Sequence, residues 1–196
     1  MQPAGHGRVT SRVMRRFAVP GLITLIAAAL LGVLAFGVSR SGENSSLDSQ
    51  IARADYPVEP GAHTPLPRLG ASGRTTLASL RGHFVMVDFF AGWCDACQAD
   101  ANVVAASERV LARHGGTVLG VTFQDSSTDA LGYMRDYHLS FPVLHDTNGT
   151  LASDFGVDGV PESFIIDPQG KVVALSREQL TNGWLKTLNR ALAQHA

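Results

Sequence analysis

The feature that most constrains the fold of this chain is an apolar segment that leads directly into its only two cysteines. Residues 84–90 read FVMVDFF, and Asp88 is the only polar side chain among them. A run of aromatic and branched residues is typical of a strand that is buried on both faces. The apolar residues after the cysteines recur at helical spacing and stop at two glycines, so a helix is expected to begin near Cys94. The sequence therefore predicts that Cys94 and Cys97 lie where a central strand turns into a helix.

Strand-like and helix-like patterns alternate through the rest of this region. Residues 117–123 (TVLGVTF) predict a second buried strand, and residues 126–139 predict a helix capped by Ser127 or Thr128. Residues 162–175 (ESFIIDPQGKVVAL) predict two strands joined by an Asp-Pro-Gln-Gly turn. A closing amphipathic helix is predicted for residues 178–195, with the apolar face Leu180, Trp184, Leu185, Leu188 and Leu192. Together the elements predict an α/β domain with a central mixed β-sheet flanked by helices.

The N-terminal region contains a long uncharged segment. Residues 17–38 include no charged side chain, and a helix of this length is enough to cross a hydrocarbon core of about 30 Å. Four arginines precede the segment, at positions 8, 12, 15 and 16, whereas Arg40 alone follows it closely. The positive-inside rule then places the N-terminus in the cytoplasm. A transmembrane helix over residues 17–38 is therefore expected.

A cleaved signal peptide is the alternative explanation of this segment. The apolar stretch exceeds the roughly 7 to 15 residues of a signal-peptide core, and the nearest small-x-small site, at residues 52–54, lies far downstream. We therefore expect an uncleaved signal anchor. The expected organisation is a cytoplasmic tail (1–16), the anchor (17–38), a flexible polar linker (39–57) and an extracytoplasmic catalytic domain (58–196) of a single-pass cell-membrane protein.

The charge balance argues against a nucleic-acid-binding function. The chain has 16 Lys and Arg residues against 17 Asp and Glu residues, and its formal net charge is −1. No basic run falls in the predicted domain. Because domains that bind nucleic acids concentrate positive charge on one face, no nucleic-acid partner is expected.

Four functions compete for the spacing Cys94-X-X-Cys97. A zinc site needs four ligands, and neither a second cysteine pair nor a compact His-x-x-x-His follows, so no metal site is expected. Covalent haem attachment needs a histidine directly after the second cysteine, where Gln98 stands. A purely structural disulfide around two residues would remove little entropy from the unfolded chain. A redox-active dithiol is favoured over these three.

A redox function uses the position of the pair. Unpaired amides and the dipole at a helix N-terminus favour an anion, which lowers the pKa of the Cys94 thiol and supplies the thiolate that attacks disulfides. Cys97 lies one helical turn later on the same side and can resolve the mixed disulfide. Asp95 opposes thiolate formation beside it. A less stabilised thiolate makes the pair less oxidising, which favours a reductant.

Two segments of the chain resemble the active site of thioredoxins. VDFFAGWCDAC (87–97) is similar to the thioredoxin active-site strand and turn, and GVPES (159–163) is similar to the segment whose cis-proline faces the cysteines in that fold. The extra elements between them and the predicted anchor resemble the TlpA/ResA/DsbE (CcmG)-like branch of membrane-anchored thiol-disulfide oxidoreductases. The resemblance covers roughly residues 58–192 and implies a thioredoxin-like fold. It implies no cofactor beyond a redox-active Cys94–Cys97 disulfide.

The resemblance also implies roles for individual residues. Cys94 would be the nucleophile and Cys97 the resolving thiol, while Trp93 would shield the dithiol and shape the surface around it. The Val160–Pro161 peptide bond would be cis, and the backbone of Val160 would contact a bound substrate strand. An ordinary trans turn is the alternative at Pro161.

Three further carboxylates are candidates for proton transfer or tuning. Asp88 lies six residues before Cys94, like the buried acid of thioredoxins, and could relay the proton of Cys97; a partly wet strand end is the alternative. Asp100 stands where this branch commonly has glutamate, and a solvated helix residue is the alternative for its shorter side chain. Glu162 matches the acid that follows the cis-proline in DsbE-like proteins, where it would tune the cysteines or select substrates.

The expected function is the reduction of disulfides in extracytoplasmic proteins. The resemblance implies apocytochrome c as the substrate, because many such proteins serve cytochrome c maturation, in which the haem-attachment cysteines must be reduced. A membrane protein would supply the electrons, since the compartment is oxidising. A disulfide-forming oxidase is one alternative, and a SCO-like copper-delivery protein, which prefers a three-residue spacer, is an alternative of another class. A peroxiredoxin-like peroxidase is disfavoured because Ala91 stands where that family places threonine.

Overall fold

The computed structural model describes residues 26–32 and 47–195, and the chain divides into two compact units, residues 1–43 and 44–196. In the N-terminal unit, residues 26–32 form a helix with exposed side chains. The predicted tail, most of the predicted anchor and the first part of the predicted linker lie outside the described residues. Within the described ranges, no helix has both the length and the hydropathy that crossing a bilayer requires.

The C-terminal unit contains a five-stranded mixed sheet and a short antiparallel pair. The strands are β1 (Leu66–Pro67), β2 (Arg74–Thr75), β3 (Val85–Phe90), β4 (Thr117–Thr122), β5 (Val143–Leu144), β6 (Glu162–Ile166) and β7 (Val172–Ser176). The order in the large sheet is β5-β4-β3-β6-β7, while β1 pairs with β2. β3 is parallel to β4, which is parallel to β5, and the pairs β3–β6 and β6–β7 are antiparallel. All six residues of the central strand β3 are buried, which confirms the prediction for this segment.

Helices join and flank these strands in the described part of the unit. They are α1 (Asp95–Ala112), α2 (Ser127–Asp136), α3 (Thr150–Asp154) and α4 (Asn182–His195), with a 3-10 turn at Leu77–Leu80 and a further short helical segment at residues 47–52. α1 makes the crossover that the parallel pair β3–β4 requires. The predicted α/β architecture with a central mixed sheet is confirmed.

The side chains of β3 alternate between two cores. Met86 and Phe90 pack in a cluster that also contains Cys94 and Cys97, which we name the cysteine-side core. The alternate residues of the strand pack in a second cluster, the opposite core. Because successive side chains of a strand point to opposite faces, Asp88 belongs to the face of the cysteines.

The closing helix begins later than predicted. α4 starts at Asn182, four residues after the expected start, and the backbone N–H of Leu180, which lies before the helix, donates to the carboxylate of Asp100 at 2.8 Å. Leu180 is buried in the connection before the helix, so it is not part of the helical face. The buried residues of α4 are Trp184, Leu188, Ala191 and Leu192.

Two further boundaries differ from the predictions. The N-cap of α2 is Ser126, whose hydroxyl accepts the N–H of Asp129 at 3.0 Å, so the predicted caps Ser127 and Thr128 lie inside the helix. Residues 47–52, within the predicted linker, are helical. Their apolar side chains pack against the opposite core, so the compact unit begins before residue 58.

Candidate active site around Cys94 and Cys97

The two cysteines form a disulfide at the start of α1. Their Cα atoms are 5.2 Å apart. Cys94 is the N-cap of the helix, and its Sγ accepts the backbone N–H of Cys97 at 3.0 Å. The predicted position of the pair at a strand-to-helix turn is confirmed, and the amide that faces Sγ would stabilise a Cys94 thiolate.

The turn before the cysteines depends on a glycine. A Cβ added at Gly92 would lie 2.6 Å from the carbonyl oxygen of Asp129, a distance that a side chain cannot adopt without moving the backbone. The N–H of Gly92 donates to the Asp125 carboxylate at 2.7 Å. The loop after β4 therefore holds the cysteine turn directly against the start of α2.

The cis-proline loop, which we define as residues 156–161, covers the disulfide on another side. The Val160–Pro161 peptide bond is cis, as the resemblance to thioredoxins implies. The carbonyl oxygen of Val160 lies 3.6 Å from Sγ of Cys94. Cys94 is 5% exposed and Cys97 only 1%, so Cys94 is the more accessible sulfur for an incoming disulfide.

Trp93 lies on the surface beside the disulfide. Its side chain is 56% exposed, and its Nε1 donates to the carbonyl oxygen of Gln124 at 3.3 Å. A groove of about 590 Å³ extends from this indole along α2 and is lined by residues that include Gln98, Tyr133 and Tyr137. Trp93 therefore forms part of the accessible surface next to the disulfide.

Asp88 is buried on the face of the sheet that carries the cysteines. It is 3% exposed, which shows that the alternative of a wet strand end is wrong. Ser163, its partner across β3 and β6, donates its hydroxyl to Oδ1 at 2.7 Å. Burial raises the pKa of Asp88 to about 7, and the negative charge of Asp100 adds to this effect, while the bond from Ser163 opposes it. Asp88 can therefore hold or release a proton near neutral pH.

Asp100 is also buried, so the alternative of a solvated helix residue is wrong. It is 1% exposed, and its Oδ2 accepts the N–H of Leu180. Its Oδ1 has no hydrogen-bond partner within residues 47–195. Burial raises the pKa of Asp100 to about 6, against the lowering effect of the hydrogen bond from Leu180. The cysteine-side core thus contains two carboxyl groups that titrate in the neutral range.

Glu162 does not lie beside the cysteines. It pairs in register with Phe89, whose side chain belongs to the opposite core, so the two side chains share the face of the sheet that is turned away from the dithiol. Its carboxylate accepts a hydrogen bond from Arg177. Burial raises the pKa of Glu162, and the positive charge of Arg177 partly offsets this. Glu162 directly follows Pro161 in the sequence, but its side chain points away from Cys94.

Known proteins share this fold. The model of the AhpC/TSA family matches residues 64–175. The chain belongs to the AhpC/TSA family.

Relatives in this thioredoxin-like family carry names from redox chemistry. The chain is 27% identical over 112 residues to thiol-disulfide oxidoreductase ResA of Bacillus subtilis, a match that covers 57% of this chain and 63% of that protein. It is 30% identical over 160 residues to thiol:disulfide interchange protein DsbE of Allochromatium vinosum, covering 80% of this chain and 83% of that protein. The structure of MTB dsbF in its mixed oxidized and reduced forms superposes with a TM-score of 0.61 at 28% identity, covering 69% of this chain and 99% of that one. The chain spans about three fifths of the length of ResA from B. subtilis.

Two site residues of this AhpC/TSA-family chain were not singled out from the sequence. Tyr133 stacks on Phe90, with ring centroids 4.9 Å apart, and donates its hydroxyl to the carbonyl oxygen of Cys97 at 3.0 Å. Ser163 donates to Asp88. A usable signal existed for Ser163, because it is the only polar residue inside the otherwise apolar run SFII that follows Glu162. No comparable signal marks Tyr133, whose partner lies on another helix.

Replacing Asp95 by asparagine is expected to make the Cys94–Cys97 pair more oxidising. Asp95 is exposed in the first turn of α1, directly after Cys94, and its charge opposes the thiolate of the reduced state. Removing the charge stabilises the reduced form, so the reduction potential should rise by about 10 mV. Equilibration with glutathione buffers measures this shift, with Asp136→Asn as the control that removes an exposed charge from α2. An unchanged or more negative potential in Asp95→Asn would contradict the assignment.

Proposed function

We propose that the chain is a thiol-disulfide oxidoreductase that acts through Cys94 and Cys97. One observation carries the proposal: the disulfide lies at a helix N-terminus with its more accessible sulfur against a cis-proline loop. This arrangement offers a stabilised thiolate and, next to it, a backbone edge on which an extended substrate strand can pair. The names of ResA and DsbE relatives support the same chemistry.

In the reducing direction, the reaction begins with the dithiol. The Cys94 thiolate attacks one sulfur of a substrate disulfide, which forms a mixed disulfide and releases a substrate thiolate that takes up a proton. Cys97 then loses its proton and attacks Sγ of Cys94. This step forms the Cys94–Cys97 disulfide and releases the second substrate thiol. Two electrons and two protons pass to the substrate in each cycle. An external dithiol must then reduce the Cys94–Cys97 disulfide before the next cycle.

Asp88 is the proposed acceptor of the proton from Cys97. Its burial in the cysteine-side core supports this role, because its pKa of about 7 lets it gain and lose a proton at neutral pH. Asp100 carries a second titrating carboxyl group in the same core, with a pKa of about 6. The two charges repel each other, so one group holds a proton more tightly while the other is ionised.

The proposed direction is reduction, with apocytochrome c as the substrate in cytochrome c maturation. The charge of Asp95 beside Cys94 supports the direction, and the resemblance to the DsbE-like branch supports the substrate. A membrane-bound electron donor is part of this proposal. Relatives named DsbE and HelX are among the matches, and their names state thiol:disulfide interchange.

The proposed location is the outer side of a cell membrane. Its support is the uncharged segment 17–38 and the excess of arginine before it. The segment would act as an uncleaved anchor with the N-terminus in the cytoplasm. N-terminal sequencing of the protein recovered from whole cells would read Met1 or Gln2 for an anchor, whereas a start between residues 39 and 60 would show cleavage.

The reduction potential of the Cys94–Cys97 pair is the measurement that tests the direction. For a reductant, we expect a value toward that of thioredoxin, about −270 mV. A value near that of the oxidant DsbA, about −120 mV, would overturn the reductant and favour the disulfide-forming oxidase. Failure of the pair to exchange with glutathione at any ratio would reject the oxidoreductase itself.

A further inference from the structure

One arginine holds the cis-proline loop from behind. Arg177 directly follows β7, and its Nη1 donates to the carbonyl oxygen of Gly156 at 3.1 Å and also to the carboxylate of Glu162. Gly156 is the first residue of the loop, and Glu162 follows its last. A single nitrogen therefore ties the two ends of the loop together.

Other contacts fix the orientation of Arg177. Its Nε donates to both carboxylate oxygens of Asp48, at 3.0 and 3.1 Å. Its guanidinium carbon lies 5.5 Å from the ring centroid of Phe164. The side chain of Arg177 is 18% exposed and that of Glu162 is 8% exposed. The charge-assisted hydrogen bond between Arg177 and Glu162 is strong, because little water competes for these two groups.

The loop that Arg177 holds contacts the redox pair on its other side. Val160 lies in this loop, with its carbonyl oxygen 3.6 Å from Sγ of Cys94. A substrate strand that pairs with the Val160 backbone would have its disulfide aligned with Cys94 only if the loop keeps this position. A displaced loop would therefore weaken the binding of this strand.

We propose that Arg177 is a positioning residue that keeps the cis-proline loop aligned with Cys94 for a polypeptide substrate, and that Asp48 orients it. The inference rests on the proposed thiol-disulfide exchange. It gives the helical segment 47–52 a role in supporting the site. It also gives Glu162 a role, since this carboxylate binds Arg177 directly after the cis-proline loop. Without Arg177, Glu162 would be buried without its counter-ion and the loop ends would separate.

Three variants and a matched control test the proposal. Arg177→Met removes the guanidinium and keeps an apolar stem. Arg177→Lys keeps the charge, but one ammonium group cannot reproduce the fork that reaches Asp48 and the loop. Asp48→Asn weakens the orienting contact, and Arg190→Met removes an exposed arginine from α4. The assay is reduction of a synthetic peptide with an internal disulfide, with dithiothreitol as the electron source. Iodoacetamide alkylation of reduced Cys94 is measured in parallel, because that small reagent does not need the loop.

The expected result is a defect in peptide binding. Arg177→Met should raise KM about tenfold, while kcat and the alkylation rate stay within about twofold. Arg177→Lys and Asp48→Asn should each raise KM about threefold, and Arg190→Met should leave it unchanged. A KM of Arg177→Met within about twofold of the parent value overturns the proposal. The proposal is also overturned if kcat and the alkylation rate of Cys94 both fall by the same factor. If Arg177→Met does not fold, KM is compared for Arg177→Lys and Asp48→Asn instead. Values within about twofold of the parent protein then overturn the proposal.

Hydrogen exchange separates the failure of this inference from the failure of the proposed function. The N–H of Val157, inside the loop, donates to the carbonyl oxygen of Ala152 at 2.8 Å. Its exchange should be about tenfold faster in Arg177→Met and unchanged in Arg190→Met. If the parent protein does not reduce the peptide, the proposed function is rejected. Faster exchange of the Val157 N–H in Arg177→Met would still show that Arg177 restrains the cis-proline loop. Unchanged exchange at Val157 would overturn that hold, whatever the activity.

Discussion

Replacing Cys97 by alanine is expected to convert the protein into a trap for its substrates. Without a resolving thiol, the mixed disulfide on Cys94 can be released only by an external thiol. Turnover on a peptide disulfide should therefore fall by about 100-fold or more, while covalent adducts accumulate on Cys94. Mass spectrometry of the protein after incubation with the oxidised peptide measures the adduct directly.

The structure supports the role of Cys94 as the nucleophile and of Cys97 as the resolving thiol. Cys94 is the more exposed of the two, and it is Cys94 that faces the Val160 carbonyl. Cys97 is covered inside the cysteine-side core, where Tyr133 binds its carbonyl oxygen. Cys94→Ala is the matched control, and it should form no adduct because the remaining thiol is buried. Equal trapping by the two variants would contradict the assigned roles, and no trapping by Cys97→Ala would reject the enzyme.

Replacing Asp88 by asparagine is expected to have two large effects, one on stability and one on the pH profile. In the folded protein the pKa of Asp88 is about 7, above the ordinary value of 3.8. Between these values the folded state binds more protons than the unfolded state, so the free energy of unfolding falls as pH rises from about 4 to 7. Asparagine has no charge to bury. Asp88→Asn should therefore be about 2–4 kcal/mol more stable than the parent at pH 8 and nearly equal to it at pH 4.

Urea unfolding at both pH values measures this difference. Asp95→Asn is the control, because it removes an exposed carboxylate near the same turn and should not stabilise the protein at pH 8. Asp100 has a raised pKa of about 6, so some loss of stability with rising pH should remain in Asp88→Asn. Equal stability of the parent and Asp88→Asn at pH 8 would show that Asp88 is not a buried charge.

The pH profile tests the catalytic half of the same substitution. If the ionised form of Asp88 takes the proton of Cys97, closure of the disulfide should accelerate as pH rises through about 7. Asp88→Asn should slow this step by about 100-fold at pH 8 and abolish its inflection near neutrality. Rapid quenching of the mixed disulfide with a model peptide measures the step. A retained inflection near pH 7 would show that another group accepts the proton, and Asp100, with its raised pKa of about 6, would be the candidate.

The sequence predicted the central part of this fold because its patterns are local. The run 84–90 is typical of a strand covered on both faces, and the helical spacing after Cys97 predicts α1. The boundaries were less predictable where a long-range contact competes with a local preference. Leu180, for example, lies outside α4, and its N–H donates to Asp100, 80 positions earlier in the chain.

The candidate site divides in the same way. Residue type and spacing within short segments were enough to predict the cysteine pair and its place at a helix N-terminus, whereas the proline opposite was implied by the resemblance to thioredoxins. Only the tertiary structure decided what surrounds them. Strand register places Asp88 on the side of the cysteines and Glu162 on the other. Arg177 meets Asp48 across 129 positions of sequence, a contact without any local pattern, because it arises only when separate elements pack together.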